Sequence, residues 1–248
     1  MMFDKELINK NKAKSVDNIR DSDFYRFLYS DLSERLELID KTYQEVLVLA
    51  FDDDHLLLPN DAFYHLNYSS PGQLSLIDKK SIDLILFPFG FHWIGEVQKF
   101  LFEVHSILKK NGIFICNFAG AGTLSSLRNT LFFAEESANN VHYPHISPFI
   151  KFEDMTPLMQ QAGFVENIID CETINLEYDS PILLMKALKN FGESNAICNR
   201  TNYSITKLMY QYLKNYNNDH FFDQVNLITL TSSPTKNSIK LKAEYFPK

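Results

Sequence analysis

The stretch IDLILFPFGFHWIGEVQKFLFEVHSILKKNGIFICNF, residues 82 to 118, carries the pattern that decides the fold. It opens on the short apolar run Ile82 to Phe87, in which Asp83 is placed to hydrogen-bond neighbouring backbone. A helical spacing follows at Val97, Leu101, Val104 and Leu108, and the Asn111-Gly112 pair stops it. Ile113 to Phe118 is a second buried run. Such runs, apolar without alternation, suit strands covered on both faces of a parallel sheet. Strand, helix, strand is therefore the expected unit.

The same signals extend in both directions. Upstream, Phe24, Leu28, Leu32 and Leu36 are four apart behind a capping Ser22, which predicts a helix over 22–39, and Val46 to Phe51 reads as another buried strand. Downstream, Thr123 caps a helix through Glu136, and Glu153 to Gln161 forms one that stops at Ala162-Gly163 before a strand at Phe164 to Ile169. Ser180-Pro181 starts a helix that Gly192 ends, an amphipathic stretch runs from Tyr203 to about Leu213, and Val225 to Leu230 is a closing strand. The alternation predicts an α/β domain with a mostly parallel sheet and helices on both faces. Residues 1–21 read as a flexible polar arm and 22–248 as one domain, with inserted segments at about 120–157 and 180–216.

Composition narrows the function classes. The chain has 248 residues, 45% of them hydrophobic, and its 21 Phe and 12 Tyr can fill a substantial core. Its formal charge of −7 argues against nucleic acid as a partner. Cys116, Cys171 and Cys198 form no CxxC pair, so neither a disulfide framework nor a zinc knuckle is indicated. His142 and His145 have H-x-x-H spacing but no third ligand nearby, so no metal site is expected. No apolar stretch approaches the roughly 20 residues that span a bilayer, and the N-terminus has no apolar segment of secretory type.

The 82–115 pattern resembles the fourth- to fifth-strand region of class I S-adenosylmethionine-dependent methyltransferases: an acid opening a strand, an apolar run, a His-Trp pair, a long helix ending in Leu-Lys, and a glycine turn. TLSSLRNTLFFAEES (123–137), PHISPF (144–149), QQAGF (160–164) and LMKALKNFGESNAICNR (184–200) are similar to the methyltransferase-like assembly factors of respiratory complex I. That family is related to the malonyl-carrier-protein methyltransferase of biotin synthesis. The resemblance runs from about Phe24 to Leu230. It implies a Rossmann-like fold with a late antiparallel strand, S-adenosylmethionine as cofactor, and a protein partner or substrate such as a complex I subunit. A cytoplasmic place fits the unpaired cysteines, and the resemblance adds a peripheral one at the inner membrane. Protein-arginine hydroxylation is the activity associated with the family's mitochondrial members.

The site residues follow from where such a fold binds ligands, at the carboxyl ends of its strands. The cofactor candidates are Ala50, Phe51, Asp52, Phe89 and His92. The turn at 50–55 reads Ala-Phe-Asp-Asp-Asp-His, with none of the glycines that let backbone approach a cofactor. The ribose-binding acid falls by spacing near Ser69-Ser70, where no carboxylate stands. Only ten residues separate Phe51 from a strand at Ala62 to Leu66, short of the about a dozen a crossover needs, which marks the first βαβ unit as eroded. Asp61 takes the acid's role if the second strand lies earlier, within His55 to Leu58. Candidates for substrate or partner contact are Trp93, Arg128, Glu135, His145, Ser147, Glu193, Asn195 and Arg200; Glu193 and Asn195 are expected in an exposed turn. Arg128 and Glu135, seven apart on one helix, also have the spacing of an intrahelical pair. No residue is assigned as a catalytic base. Three functions remain open: a methyltransferase-family protein of complex I assembly with a degenerate cofactor turn, an active methyltransferase on a carrier protein or small molecule, and a non-catalytic assembly protein.

Overall fold

The computed structural model describes residues 2–15, 18–19, 22–49, 65–69, 71–138, 143–198, 205–216 and 220–242. The elements are helices α1 (Lys5–Ala13) and α2 (Asp23–Leu38), strands β1 (Glu45–Leu49), β2 (His65–Ser69) and β3 (Ile82–Phe87), helix α3 (Val97–Ile107), strand β4 (Leu108–Ala119), helices α4 (Ser125–Ala138) and α5 (Phe152–Gln161), strand β5 (Glu166–Tyr178), helices α6 (Pro181–Asn190) and α7 (Lys207–Lys214), and strand β6 (Phe221–Ser233). The six strands form one sheet in the order β2-β1-β3-β4-β6-β5. Pairs β1–β2, β1–β3 and β3–β4 are parallel. β6 runs antiparallel between β4 and the edge strand β5. This is the α/β, Rossmann-like arrangement, late antiparallel strand included, that the sequence predicts.

The unbroken apolar runs have a direct cause. Leu84 and Leu86 of β3 join Val46, Val48, Ile113 and Ile115 under α2 on one face, whereas Ile85 and Phe87 join Leu47, Leu49, Phe114 and Phe118 under α3 and α5 on the other. Both pleat faces of the central strands are covered, so neither set of alternating positions can be polar. Asp83 accepts from the N–H groups of Gln44 and Glu45 at 3.2 and 3.0 Å and from Lys109 Nζ at 2.9 Å, so it anchors the start of the strands. The segments inserted after β4 and β5 build a separate layer: Leu127 and Leu131 of α4 pack with Leu184 of α6, Met209 and Leu213 of α7 and Phe221.

Three expectations are corrected. The second strand lies at His65–Ser69 rather than 62–66, which leaves fifteen residues after Leu49. That exceeds the about a dozen residues of a crossover, and the parallel β1–β2 pairing is formed; the short spacing that marked the unit as eroded is therefore overturned, while the connecting residues 50–64 lie outside the described residues. The condition for Asp61, an earlier second strand, is not met by β2; Asp61 itself lies outside the described residues. The N-terminal arm is not loose. Asp4 caps α1 by accepting from the Leu7 N–H at 3.0 Å, and Phe3 and Ile8 pack on Trp93 and Ala196. The polar composition of the arm hides this, because α1 has few apolar groups and one of its two buried side chains is a lysine, Lys12, beside Ile8.

Candidate functional site

β2 and β3 lie on opposite sides of β1, so the chain reverses its direction across the sheet at the carboxyl ends of β1 and β3, where open α/β sheets bind ligands. The segment leaving β3 turns sharply there. Phe89 has φ of +36°, a left-handed conformation that costs energy for a side chain other than glycine. Its N–H donates at 2.9 Å to Oδ1 of Asn117, a fully buried residue of β4. The Asn117 amide in turn donates at 2.9 Å to the Leu28 carbonyl, which ties the turn to α2. A short 3-10 turn, Phe91–Trp93, follows and brings His92 and Trp93 inward, both buried.

Opposite them stands Glu193, beyond the α6 stop at Gly192, whose φ is +71°. Its carboxylate is met by four donors. Lys12 Nζ and the Tyr25 hydroxyl (3.0 Å) reach Oε1; His92 Nε2 and Trp93 Nε1, each at 3.0 Å, reach Oε2. The side chains of Lys12 and Glu193 are 4% and 11% exposed. Burial pushes the Glu193 carboxyl up, but the Lys12 and His92 charges and their hydrogen bonds outweigh it and hold it at about 2. The exposed turn foreseen for Glu193 is thus overturned: it joins α1, α2, the 91–93 turn and the end of α6. Lys12 and Tyr25 were not legible as site residues.

The third wall is the loop 143–149, which α4 holds from behind. Arg128 donates through both terminal nitrogens at 3.1 Å to the carbonyls of Ile146 and Ser147. Glu135, buried, contacts His145 Nε2 at 2.7 Å and accepts from the Tyr143 N–H at 2.9 Å. Arg128 and Glu135 therefore fix this loop and do not pair with each other. Asn195 adds a donation to the Pro144 carbonyl at 2.5 Å. The start of α4 is capped from the sheet, not by Thr123: Asp223 of β6 accepts from the Ser126 and Leu127 N–H groups at 3.2 and 2.8 Å. Thr123 instead accepts from the Asn226 N–H.

These walls enclose a cavity of about 70 Å³. Phe89, His92, Trp93, His145, Ser147, Glu193 and Asn195 all line it, so seven candidates scattered over a hundred residues come together. Phe24, Tyr25, Phe149 and Phe191 add aromatic surface. Arg128 and Glu135 stand behind the wall. Ala50, Phe51, Asp52, Arg200 and His142 lie outside the described residues. Two polar atoms of residues that line it, His92 Nδ1 and Ser147 Oγ, are buried without a hydrogen-bond partner. With Ser147 unpartnered, no Ser-His nucleophile pair is formed with His145 or His92. Among the described residues no group of three or more His, Cys, Asp or Glu is placed to share a metal ion, and no helix is long and apolar enough to cross a membrane.

On the cofactor side, the strand order supplies the backbone arrangement at which open α/β sheets hold a nucleoside cofactor, and residues 50–64, between β1 and β2, lie outside the described residues.

Comparison with known proteins agrees with this arrangement. Residues 54–116 match the methyltransferase domain family. A Rickettsia prowazekii protein named as a methyltransferase is 39% identical over 236 residues, 95% of this chain and 99% of its own length. The human mitochondrial arginine-hydroxylase NDUFAF5 is 35% identical over 122 residues, but the match spans 49% of this chain and 35% of that protein. A Coxiella burnetii malonyl-[acyl-carrier protein] O-methyltransferase is 28% identical across 73% of this chain and 61% of its own length. Among solved structures, one described as a methyltransferase from Bacillus halodurans superposes with a TM-score of 0.52 at 13% identity, covering 84% of this chain and 99% of that one, which supports the fold. With a relative of such identity along nearly its whole length, and with this sheet order, the chain belongs to the S-adenosylmethionine-dependent methyltransferase superfamily.

Proposed function

We propose that this chain is a methyltransferase-family protein of respiratory complex I assembly, which takes a side chain of a partner protein into the 70 Å³ cavity beside a cofactor crevice at β1 and β3. The observation that carries the reading is that the segments resembling the assembly factors, 123–137, 144–149 and 184–200, supply two walls of that cavity and the helix that braces one of them. S-adenosylmethionine is the cofactor of this reading and would supply the methyl group; Phe89 and His92, which follow β3, would border it. Without a carboxylate at the end of β2, one charge-assisted hydrogen bond to the ribose is missing, a loss of about 1.5–3 kcal/mol, or roughly ten- to a hundredfold in affinity.

The test has two parts. Calorimetric titration with S-adenosylmethionine should give weak binding that Ser69→Asp tightens about tenfold; tight binding by the unaltered chain would remove the argument from Ser69. Deleting the chain from its host should lower assembled complex I, restored by the wild-type sequence, and normal complex I in the deletion would overturn the assembly role. A second reading, methyl transfer to a carrier protein, is favoured by the 73% coverage of this chain in the Coxiella match. Its signature is methyl ester formation on a malonyl-loaded carrier protein.

A further inference from the structure

The sheet ends on an open row of backbone groups. β5 is the edge strand, thirteen residues long, and pairs one-to-one with β6 from Glu166 to Tyr178. The contacts of β6 settle which of its groups face outward. The Asn226 and Gln224 carbonyls accept from the Gly120 and Leu124 N–H groups at 2.7 and 2.9 Å, so both residues turn away from β5. Opposed residues of an antiparallel pair either exchange both bonds or both point away, in alternation along the strands. Thr173 and Asn175, opposite Asn226 and Gln224, therefore direct their N–H and C=O groups away from β6, and Cys171 and Glu177 do the same by alternation. All four residues are exposed, and the outward groups have no hydrogen-bond partner among the described residues.

Charge selects what this edge takes. Long edges are ordinarily blunted by proline, by lysine or by a bulge; β5 contains no proline and no lysine, and its register with β6 is unshifted throughout. It carries instead Glu166, Asp170, Glu172 and Glu177, with no Lys or Arg. Glu166 is held by the Ser238 and Ile239 N–H groups, and Asp170 by Arg35 of α2. Among the described residues Glu172 has no partner, and Glu177 meets only the exposed His220 ring, at 3.0 Å. Burial and the Asp170 and Glu153 carboxylates push the Cys171 thiol up, the carboxylates marking a negative field along this edge. A second copy of the chain would bring the same carboxylates against these, whereas a basic strand meets them with opposite charge. Ile174 and Leu176 pack against the cluster of Tyr25, Phe89 and Val225, which line the cavity, so the edge runs beside the partner's pocket.

We propose that the edge of β5 from Cys171 to Glu177 is a docking surface for an extended, basic segment of a partner protein, added as an antiparallel strand with one Lys or Arg opposite Glu172 and another opposite Glu177. These carboxylates are five residues apart, so they lie on opposite faces of the strand, and the two cations of the segment must be five apart as well. The backbone bonds supply the affinity and the cation pairs fix the register. The proposal gives the partner a second contact beside the cavity and rests on the reading of the cavity as the partner's pocket for its biological role. The binding itself is tested without S-adenosylmethionine or complex I, so the two can fail separately.

The probe is the capped peptide Thr-Lys-Val-Thr-Val-Thr-Lys-Thr, whose lysines are five apart, titrated into the full chain and followed by amide NMR and hydrogen exchange. In the free chain the amides of Cys171, Thr173, Asn175 and Glu177 should exchange fast, and those of Glu172, Ile174 and Leu176, which face β6, slowly. The peptide should bind saturably and slow the first set. Replacing both lysines by Glu, or giving the chain Glu172→Lys with Glu177→Lys, should weaken binding by about two- to thirtyfold or more, the worth of two cross-strand charge pairs. N-methylation of the fourth and sixth peptide residues, whose amides face the edge when the lysines oppose Glu177 and Glu172, should abolish binding, and methylation of the third and fifth should not. The proposal is overturned if the lysine peptide does not saturate, if the Glu peptide binds as well, if the two methylated peptides behave alike, or if the free chain already protects the four amides by pairing with a second copy.

Discussion

Replacing Glu193 by glutamine tests the centre of the site. The substitution keeps the size of the side chain and removes its charge, leaving Lys12, 4% exposed, without its counter-ion. Breaking a buried pair from one side costs about 3–5 kcal/mol. Linkage gives a similar scale: a carboxyl lowered from 4.5 to about 2 is stabilised by on the order of 3 kcal/mol. The sign follows from the direction of the shift. Because the folded value lies below the unfolded one, the contribution is complete above about pH 4.5 and is lost as pH falls towards about 2. The gap in stability between the parent and Glu193→Gln should therefore be widest near neutral pH and close through that window. Trp93, the single tryptophan, donates to Glu193, so its fluorescence reports urea unfolding from the site itself. The double variant Lys12→Met with Glu193→Gln should recover most of the loss, since both charges leave together. A single variant within about 0.5 kcal/mol of the parent, or a double variant no better than the single one, would refute the buried pair and with it the docking of α1.

Three further outcomes follow from neighbouring contacts. Asn117→Ala leaves the Phe89 N–H unpaired and removes the additional bond to the Leu28 carbonyl, and should cost about 2 kcal/mol in urea unfolding, with faster hydrogen exchange at Phe89. Asp223→Ala removes the cap from the first turn of α4 and should cost about 1–2 kcal/mol; Asp223→Asn, which keeps an acceptor, should cost less. Arg128→Ala frees the Ile146 and Ser147 carbonyls, and hydrogen exchange should rise across 143–149 while the exchange of β3 and β4 amides stays slow.

What the sequence discloses and what it hides separate along physical lines. The central strands are legible because burial on both faces makes them almost wholly apolar, with buried Asn117 admitted only where it is hydrogen-bonded. β5 is seen only in part, as Phe164 to Ile169, because it is the edge strand and much of its later half, including Glu172 and Thr173, is exposed. Ser22 and Ser180 are legible as caps, each accepting from the N–H three residues on, because capping is local. Asp223 is not, since it caps a helix that begins almost a hundred residues earlier. The turn residues of the site are legible as a set through family resemblance, yet their roles are not. Lys12 lies in a helix of four charged residues and carries no signal of its own; its partner is 181 residues away.

The assembly of the cavity also bears on whether the chain acts as an enzyme or as a binding module. Its walls come from α2, the turn after β3, the loop after α4 and the turn after α6, and the first and last of these are fastened to each other and to α1 by one carboxylate. Polar side chains foreseen as contacts for a partner, Arg128, Glu135 and Glu193, are spent on holding these walls in place. A partner of the kind proposed would therefore meet the shape of this framework rather than the charges themselves. Phe89 sits where the two functional readings join: it leaves β3 at the topological switch point, is held in a strained turn by Asn117, and lines the cavity. A rigid wall shared by a cofactor crevice and a side-chain pocket is what group transfer between them requires, because orientation is supplied before the reactants meet. A module that only captured a partner would gain nothing from the strain at Phe89, so that turn argues for a site built to serve both sides.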